Sequence, residues 1–384
     1  MQLGTSPAGI RGHNERLILS LIRAFGPLPR SDLARLTGLS AQAVTNISRG
    51  LIAGGYLDDG DPVRGKVGQP SRPLALRPDG AWFAGLKIGR RSTELALLDF
   101  AGQLVGERSQ IYDMPTPDLV LAFLQRALPD LAQLIPPDRR DRLMGLGVAM
   151  PFFLWDWGAG MEGWRDIDPA PALSAATGLP VLVENDASCA CGAELMFGAA
   201  DLPADFLHVY VGHFGGGGLV LDGRLRMGPH RNAGALGSMP VPDAGGRIRQ
   251  LLDLASISTL EARLGRVLPR DDAAWDVPPE LAAAWAAEAG RAIAFAAVTA
   301  AAVVDLGAVV IDGAMPAALR RDLVAATGAA MAALPMAGLH PPVLREGTLG
   351  RAARSLGAAA LPLAEGFGPL GGGFALPLAR SDRG

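Results

Sequence analysis

Four hydrogen-bonding side chains near the N-terminus recur at the spacing of one helix face. These side chains are Gln42, Thr45, Asn46 and Arg49. At intervals of three or four residues they project from the same side of a helix. Amide, hydroxyl and guanidinium groups of this length reach base edges or phosphates when a helix lies in the major groove of DNA. The pattern predicts a DNA-reading face, and the alternative is a helical hairpin whose polar face is only solvated.

Two short helices joined by a tight turn must hold this face in place. Gly38 is suited to the positive φ that ends the first helix, and Ser40 is placed to N-cap the second. The other side of the second helix carries an apolar stripe of Val44, Ile47 and Leu51. This stripe predicts that the second helix packs against a core with its polar face outward.

The flanking sequence extends this hairpin into a winged helix. A further helix is predicted over residues 14–25, and a strand signal at Tyr56-Leu57 precedes a Gly/Pro-rich segment over residues 58–73. Three cations are interspersed in that segment, at Arg64, Lys66 and Arg72. Three helices followed by a basic hairpin predict a wing that contacts the DNA backbone or minor groove. A plain linker is the alternative.

Charge is distributed unevenly along the chain. The protein has 384 residues, of which 49% are hydrophobic and 19% charged, a length that predicts two or three domains. Residues 1–80 contain ten Lys/Arg and six Asp/Glu, a net charge of +4, whereas the remainder contains 25 and 32, a net charge of −7. A basic head on an acidic body fits a small nucleic-acid-binding domain joined to a larger one.

The composition of the sequence also indicates the cellular compartment of the protein. No apolar run reaches the roughly 18 residues that a spanning helix needs, and residues 1–11 lack the features of a signal peptide. We therefore expect a cytoplasmic protein without a membrane partner. The two cysteines, Cys189 and Cys191, are two residues apart in a predicted helix and point in different directions. Their number excludes a disulfide framework and a zinc site of four cysteines.

Beyond residue 80 the pattern changes to strands and crossover helices. One set contains a helix predicted over residues 116–134 and a buried strand over 143–150. A second set begins with a strand over 206–211 and a glycine run at 215–218, followed by a strand from Leu219. This order predicts a two-lobed α/β fold of the actin-like ATPase and sugar-kinase type, with a cleft between the lobes. The predicted domains are a winged helix-turn-helix at 1–78, lobe 1 at 79–200, and lobe 2 at 201–384 with its C-terminal helix returning to lobe 1.

Several short motifs carry a family resemblance. They occur at residues 145–151, 183–187, 197–199, 215–218, 233–241 and 357–359. In this order, and with the N-terminal head, they resemble the ROK family (repressors, open reading frames and kinases) over residues 14–361. The resemblance implies a homodimer or homotetramer. Members with a DNA-binding head look like sugar-responsive repressors, whereas members without it are mostly sugar kinases.

The elements that bind nucleotide in the family's kinases are altered here. An Asp-x-Gly-Gly-Thr loop corresponds to residues 87–91, and a Gly-Thr-Gly-x-Gly-Gly loop to residues 212–217. The later glycine motif contains Asp312, an anion near the expected nucleotide position. The altered residues in the two loops and in the sugar-side Ala-Gly-Glu motif are Lys87, Arg90, Arg91, Phe214 and Ala235. Phosphoryl transfer needs a metal-binding acid and close backbone approach to phosphate, so we expect no kinase activity.

The effector site is only partly retained. Asn185 and Asp186 match the family pair that hydrogen-bonds the sugar, and the aspartate is the general base in kinases. A carboxylate can accept hydrogen bonds from sugar hydroxyls without doing chemistry, and the same pair can cap a helix. Trp164 is a candidate for stacking on a sugar ring or for packing lobe 1. The cations Lys87, Arg90 and Arg91 either receive an anionic effector or lie on a solvated hairpin.

No metal and no cofactor are expected. Ser238 replaces the family's histidine, residues 243–261 contain no cysteine, and the histidines, including His208, are scattered along the chain. The sequence thus predicts a transcription regulator, a repressor of carbohydrate metabolism, that binds double-stranded operator DNA and senses a sugar-type effector. One alternative is an ATP-dependent sugar kinase with a regulatory head. Another is a DNA-binding protein whose body only oligomerises.

Overall fold

The N-terminal head contains three helices and a small antiparallel sheet. The structure, a computed structural model, describes residues 7–60, 72–152, 162–369 and 373–376. The head elements are α1 (Pro7–Phe25), α2 (Arg30–Thr37), α3 (Ala41–Ala53), β1 (Leu57–Asp59) and β2 (Leu74–Leu76). In the sheet Leu57 lies opposite Leu76. This is the element order of a winged helix. The predicted wing residues Arg64 and Lys66 fall outside the described ranges, so their role stays a prediction.

The turn between α2 and α3 forms as the local sequence predicts. Gly38 adopts a φ of 72° and its N–H donates to the carbonyl of Ala34. The Ser40 side chain accepts a hydrogen bond from the backbone N–H of Ala43. Both capping predictions are confirmed, because each depends only on residues within one turn of the helix end.

Two five-stranded sheets form the body. The first contains β3 (Trp82–Ile88), β4 (Ser92–Asp99), β5 (Leu104–Ile111), β6 (Leu143–Met150) and β7 (Val181–Asn185), in the order β5-β4-β3-β6-β7. The central strand β3 pairs antiparallel with β4 and parallel with β6. The helices α4 (Pro117–Ala132) and α5 (Pro169–Thr177) belong to this part. Buried side chains of α4, such as Phe123, pack with Leu86 and Val148 of the sheet.

The second sheet repeats the strand order of the first. Its strands are β8 (Phe206–Val211), β9 (Gly215–Leu221), β10 (Arg224–Arg226), β13 (Ala308–Gly313) and β14 (Val343–Glu346), in the order β10-β9-β8-β13-β14. Here β8 pairs antiparallel with β9 and parallel with β13. A separate two-stranded sheet joins β11 (Pro240–Pro242) and β12 (Ile248–Gln250). The repeated topology confirms the predicted actin-like, sugar-kinase fold.

Five helices accompany the second sheet in the sequence. They are α6 (Asp186–Phe197), α7 (Ile257–Leu264), α8 (Pro279–Ala301), α9 (Ala317–Ala332) and α10 (Ala353–Phe367). By length and composition α8 is apolar enough to cross a membrane, contrary to our expectation from the sequence, and 56% of its apolar window is buried. Trp285 and Ile293 of α8 are fully buried in the core of the second sheet and its helices, which gives the apolar composition a role in packing.

Backbone contacts divide the chain into two units. The first unit is Met1–Glu184 with Ala358–Gly384, and the second is Asn185–Gly357. This division falls before α6 because α6 packs on β8 and β9 of the second unit. The predicted three-part division, with boundaries after residues 78 and 200, stays a prediction.

The glycine run at 215–218 lies inside a strand, so the predicted start of that strand at Leu219 is wrong. Gly217 pairs with Val209 and Gly218 with His208. A Cβ atom at Gly217 would lie 2.4 Å from Cδ1 of Leu236, and one at Gly218 would lie 2.5 Å from Cβ of Cys191. Successive strand residues point to opposite faces, so these glycines allow close packing on both faces of β9. A glycine-rich sequence gives little strand signal.

Candidate functional sites

The predicted DNA-reading face lies on the outside of α3. Gln42, Asn46 and Arg49 are exposed, and Thr45 is half-buried. The Gln42 amide donates to Oδ1 of Asn46 at 3.1 Å, and the Thr45 hydroxyl donates to the carbonyl of Ala41 at 2.8 Å. Val44, Ile47 and Leu51 are buried on the opposite side. The structure thus brings the four predicted residues together on one surface, while Arg72 is exposed near β2.

An aromatic cluster that was not predicted from the sequence forms around Tyr56, shortly after α3. Tyr56 follows this helix, and its ring centroid is 5.4 Å from those of both Phe100 and Phe367. Phe100 and Phe367 are 4.9 Å apart. These residues come from the head, the end of β4 and the end of α10, and all belong to the first unit. The head is therefore packed against the body by a hydrophobic contact.

Two arginines reinforce this contact. Nη2 of Arg23 donates to the carbonyl of Phe100 at 3.1 Å, and burial lowers the pKa of Arg23 to about 10. Arg142 donates to the carbonyls of Gly54 and Gly80 at 3.1 and 2.9 Å. Because Gly54 caps the end of α3, the orientation of this helix depends on a residue of the body.

Residues 87–91 correspond to the Asp-x-Gly-Gly-Thr loop of the family's kinases, and Lys87 of this segment forms a buried ion pair. Lys87 is 3% exposed and lies opposite Glu94 across the β3–β4 hairpin. Its Nζ is 3.3 Å from Oε1 of Glu94 and 3.0 Å from Oγ of Ser92. Both predicted alternatives, an anion receptor and a solvated hairpin, are wrong for Lys87 because the cross-strand carboxylate neutralises it. Nη1 of Arg90 donates to the carbonyl of Asp113 at 2.6 Å.

Asn185 and Asp186 lie at the start of α6. Oδ1 of Asn185 accepts from the backbone N–H groups of Ala187 and Ser188 at 3.0 and 3.3 Å, so this residue caps the helix. Oδ2 of Asp186 lies 3.1 Å from Nη1 of Arg354, and the Arg354 guanidinium lies 5.0 Å from the ring centroid of Tyr210. Arg354 could not be predicted from the sequence because it is remote from Asp186 along the chain and lies outside the motifs that carry the family resemblance.

Trp164 lies in the core of the first unit. It is 4% exposed, and its indole N–H donates to the carbonyl of Pro115. This placement favours the packing alternative, since little of the ring is accessible to a sugar. Its stacking role stays a prediction.

The later glycine motif, which contains Asp312, also differs from that of the family's kinases. Asp312 is fully buried and its Oδ1 lies 3.1 Å from Nη1 of Arg320. Burial raises the pKa of Asp312. Its carboxylate also accepts hydrogen bonds from the backbone N–H groups of Gly313 and Gly350, and its position near a nucleotide stays a prediction. Ala235 and Ser238 are exposed at a short 3₁₀ turn. The ring centroid of Phe214 lies 4.6 Å from that of His213, and the two rings are tilted by 58°.

Comparison with known proteins identifies relatives over most of the chain. A sequence model of the ROK family matches residues 83–365. Protein y4fQ of Sinorhizobium fredii is 28% identical over 92% of this chain and 91% of its own length. The DNA-binding transcriptional repressor Mlc of Escherichia coli is 28% identical over 56% of this chain and 55% of its own length. The alignment thus spans about half of Mlc.

Solved structures show the same fold. A crystal structure of a ROK family transcriptional regulator, described as a homolog of the E. coli Mlc protein, superimposes with a TM-score of 0.68. It is 23% identical, and the superposition covers 93% of this chain and 98% of that one. Sugar kinases are also among the matches.

Proposed function

The chain belongs to the ROK family, and we propose that it is a transcription regulator that binds operator DNA through α3 and senses a sugar-type effector with its body. The observation that carries the proposal is the capped helix-turn-helix, whose exposed face holds Gln42, Asn46 and Arg49. The repressor Mlc among the relatives supports it.

In this proposal α3 and the basic residues of the wing contact DNA in different ways. Residues of α3 lie in the major groove and read bases. The basic residues Arg64, Lys66 and Arg72 hold the backbone or the minor groove, without base specificity. A homodimer or homotetramer in the cytoplasm places two α3 helices on a pseudo-palindromic operator, because HTH dimers bind half-sites about one helical turn apart.

DNA binding is tested by selecting binding sites from a random duplex library with the full-length protein and measuring affinity by fluorescence anisotropy. Arg49→Ala is expected to weaken binding to the selected site by about 10-fold or more, since a bidentate base contact contributes roughly 1–3 kcal/mol. Arg224→Ala is the matched control, because Arg224 is an exposed arginine far along the chain in the second unit. Equal loss in both variants would place the reading face elsewhere.

The effector site is proposed around Asn185 and Asp186. Asp186 offers acceptor oxygens and its partner Arg354 offers donors, at 3.1 Å from each other. Sugar hydroxyls both donate and accept, so this pair suits a polyol ring. Thermal unfolding against a panel of sugars, sugar phosphates and amino sugars tests it: an effector at ~100 times its Kd adds about 2.7 kcal/mol of stability, and Asp186→Ala is expected to abolish the shift while DNA binding remains.

A kinase is the second candidate function. The retention of Asp186 at the position of the family's general base favours it. The buried Lys87–Glu94 pair supports the absence of catalysis, because a lysine stands where the family's kinases have a metal-binding acid, and phosphoryl transfer needs that acid. A coupled ATP assay with the same panel separates the candidates, since sugar-dependent ATP consumption by the wild type that is lost in Asp186→Ala would establish a kinase.

A further inference from the structure

Three ligand-type side chains meet inside the second unit. Glu194 comes from α6, His208 from β8 and Asp312 from β13, and one side-chain atom of each lies within 4.8 Å of the other two. They are 1%, 0% and 0% exposed. Two carboxyl groups and an imidazole in a region without solvent need a compensating partner. We call these three residues the buried triad.

The register of two paired strands explains why two side chains of the buried triad lie close together. In the parallel pair β8–β13, His208 lies opposite Val310 and Tyr210 lies opposite Asp312. Residues two positions apart along a strand share a face, so His208 and Asp312 project to the same side. Their neighbours Val209 and Ile311 project to the other side, into the hydrophobic core. The ladder therefore fixes two of the three side chains, and α6 supplies the third.

The carboxylates of the triad share too little positive charge. Asp312 pairs with Nη1 of Arg320 at 3.1 Å, but Nε of Arg320 also pairs with Glu346 at 2.9 Å. Among the described residues Glu194 accepts hydrogen bonds only from neutral donors: the backbone N–H and hydroxyl of Thr348, each at 3.2 Å, and the backbone N–H of Ala199. Within the described residues, one guanidinium thus serves two carboxyl groups and Glu194 has no ion pair, so the pocket lacks positive charge.

His208 is the second, independent sign of a ligand. Neither of its ring nitrogens has a hydrogen-bond partner within the described residues, although the side chain is fully buried. An imidazole normally bonds through both nitrogens when buried. A neutral imidazole ligates metals through one of its ring nitrogens.

We propose that Glu194, His208 and Asp312 bind one divalent transition-metal ion, with Zn²⁺ as the first choice. One nitrogen and two carboxylate oxygens match the donors that Zn²⁺ accepts at about 2.0–2.2 Å. Imidazole favours Zn²⁺ over Mg²⁺ and Ca²⁺, which prefer oxygen alone. The ion supplies the missing positive charge and a partner for His208, and it ties α6 to two strands. The site uses no cysteine and does not depend on the proposed regulatory function.

Metal content of the full-length protein tests the site. Protein stripped with EDTA and then incubated with Zn²⁺ is expected to retain about one equivalent after gel filtration, by elemental analysis, and to melt at a higher temperature than the stripped protein. Asp312→Asn and His208→Gln are expected to weaken Zn²⁺ binding by more than about 10-fold. Glu346→Gln is the matched control, because it removes the other carboxylate of Arg320 and leaves the triad intact.

A spectroscopic readout keeps the test valid if a variant fails to fold. Wild-type protein loaded with Co²⁺ is expected to show visible d–d absorption without a thiolate charge-transfer band, and Zn²⁺ is expected to displace it stoichiometrically. Failure of the wild type to retain Zn²⁺ or Co²⁺ overturns the proposal. So does unchanged binding in a folded Asp312→Asn or His208→Gln variant. Stabilisation of these variants over the wild type in excess Zn²⁺ would indicate a pair of carboxyl groups that shares a proton, which also overturns it.

Discussion

The two five-stranded sheets share a strand order but treat buried charge differently. In the first sheet, Lys87 and Glu94 face each other across a hairpin and Ser92 completes their hydrogen bonding. In the second sheet, the buried triad has two carboxyl groups, and Arg320 is shared with Glu346. His208 has no hydrogen-bond partner there within the described ranges. The buried charges described in the first sheet therefore balance each other, whereas those of the second sheet do not.

This difference teaches that the topology of a sheet does not determine its electrostatics. Strand order follows from the alternation of strands and crossover helices, which is present in both halves of the body. The charges depend on single residues at facing positions. A lysine at 87 finds its partner on the adjacent strand, whereas Asp312 needs a residue from another element.

The largest effect is expected when the buried ion pair of the first sheet is broken. Lys87→Met leaves the Glu94 carboxyl buried without its cation, and we expect a loss of about 3–5 kcal/mol in the free energy of unfolding. Urea denaturation followed by circular dichroism measures it. The double variant Lys87→Met/Glu94→Leu is expected to recover most of the loss, because no charge is then left buried. A double variant as unstable as the single one would show that packing, and not charge, is responsible.

The part of the fold that was predictable rests on local signals. Gly38 and Ser40 gave the helix-turn-helix because a cap is decided within one turn, and the bounds of β6 follow from an uninterrupted apolar run. The role of Lys87 was misjudged because its partner is defined only by hairpin register. The buried triad was missed altogether, since its members come from three separate segments and have no characteristic spacing.

The contact of Tyr56 with Phe100 and Phe367 was unpredictable for the same reason. Each aromatic residue is an ordinary core candidate in its own segment, and only the packing of the end of α10 in the first unit joins them. Likewise, nothing in the sequence near Asp186 points to Arg354. Candidate site residues were therefore predicted where a motif or a helix face carries them, and partners from distant segments were not.

A smaller change in the free energy of unfolding, of opposite sign, is expected for His208 in the second sheet. With EDTA present, His208→Leu removes two buried nitrogens that have no hydrogen-bond partner among the described residues, each of which costs roughly 1–3 kcal/mol when unsatisfied. We expect the variant to be as stable as the wild type or more stable by about 1 kcal/mol, in contrast to Lys87→Met. Denaturation of both proteins with and without Zn²⁺ measures this. A strong loss in EDTA would mean that His208 is already satisfied and that the two sheets do not differ.

The smallest effect is expected for an ion pair on the surface of the first sheet. Arg108 of β5 contacts Asp130 of α4, and their side chains are 42% and 49% exposed. Water and salt screen such a pair, so Arg108→Ala is expected to cost at most about 0.5 kcal/mol, and less in 1 M NaCl. The same urea titrations, performed at two salt concentrations, measure it. If Arg108→Ala were as costly as Lys87→Met, burial would not be what distinguishes the charges of these sheets, and the contrast between them would have to rest on packing alone.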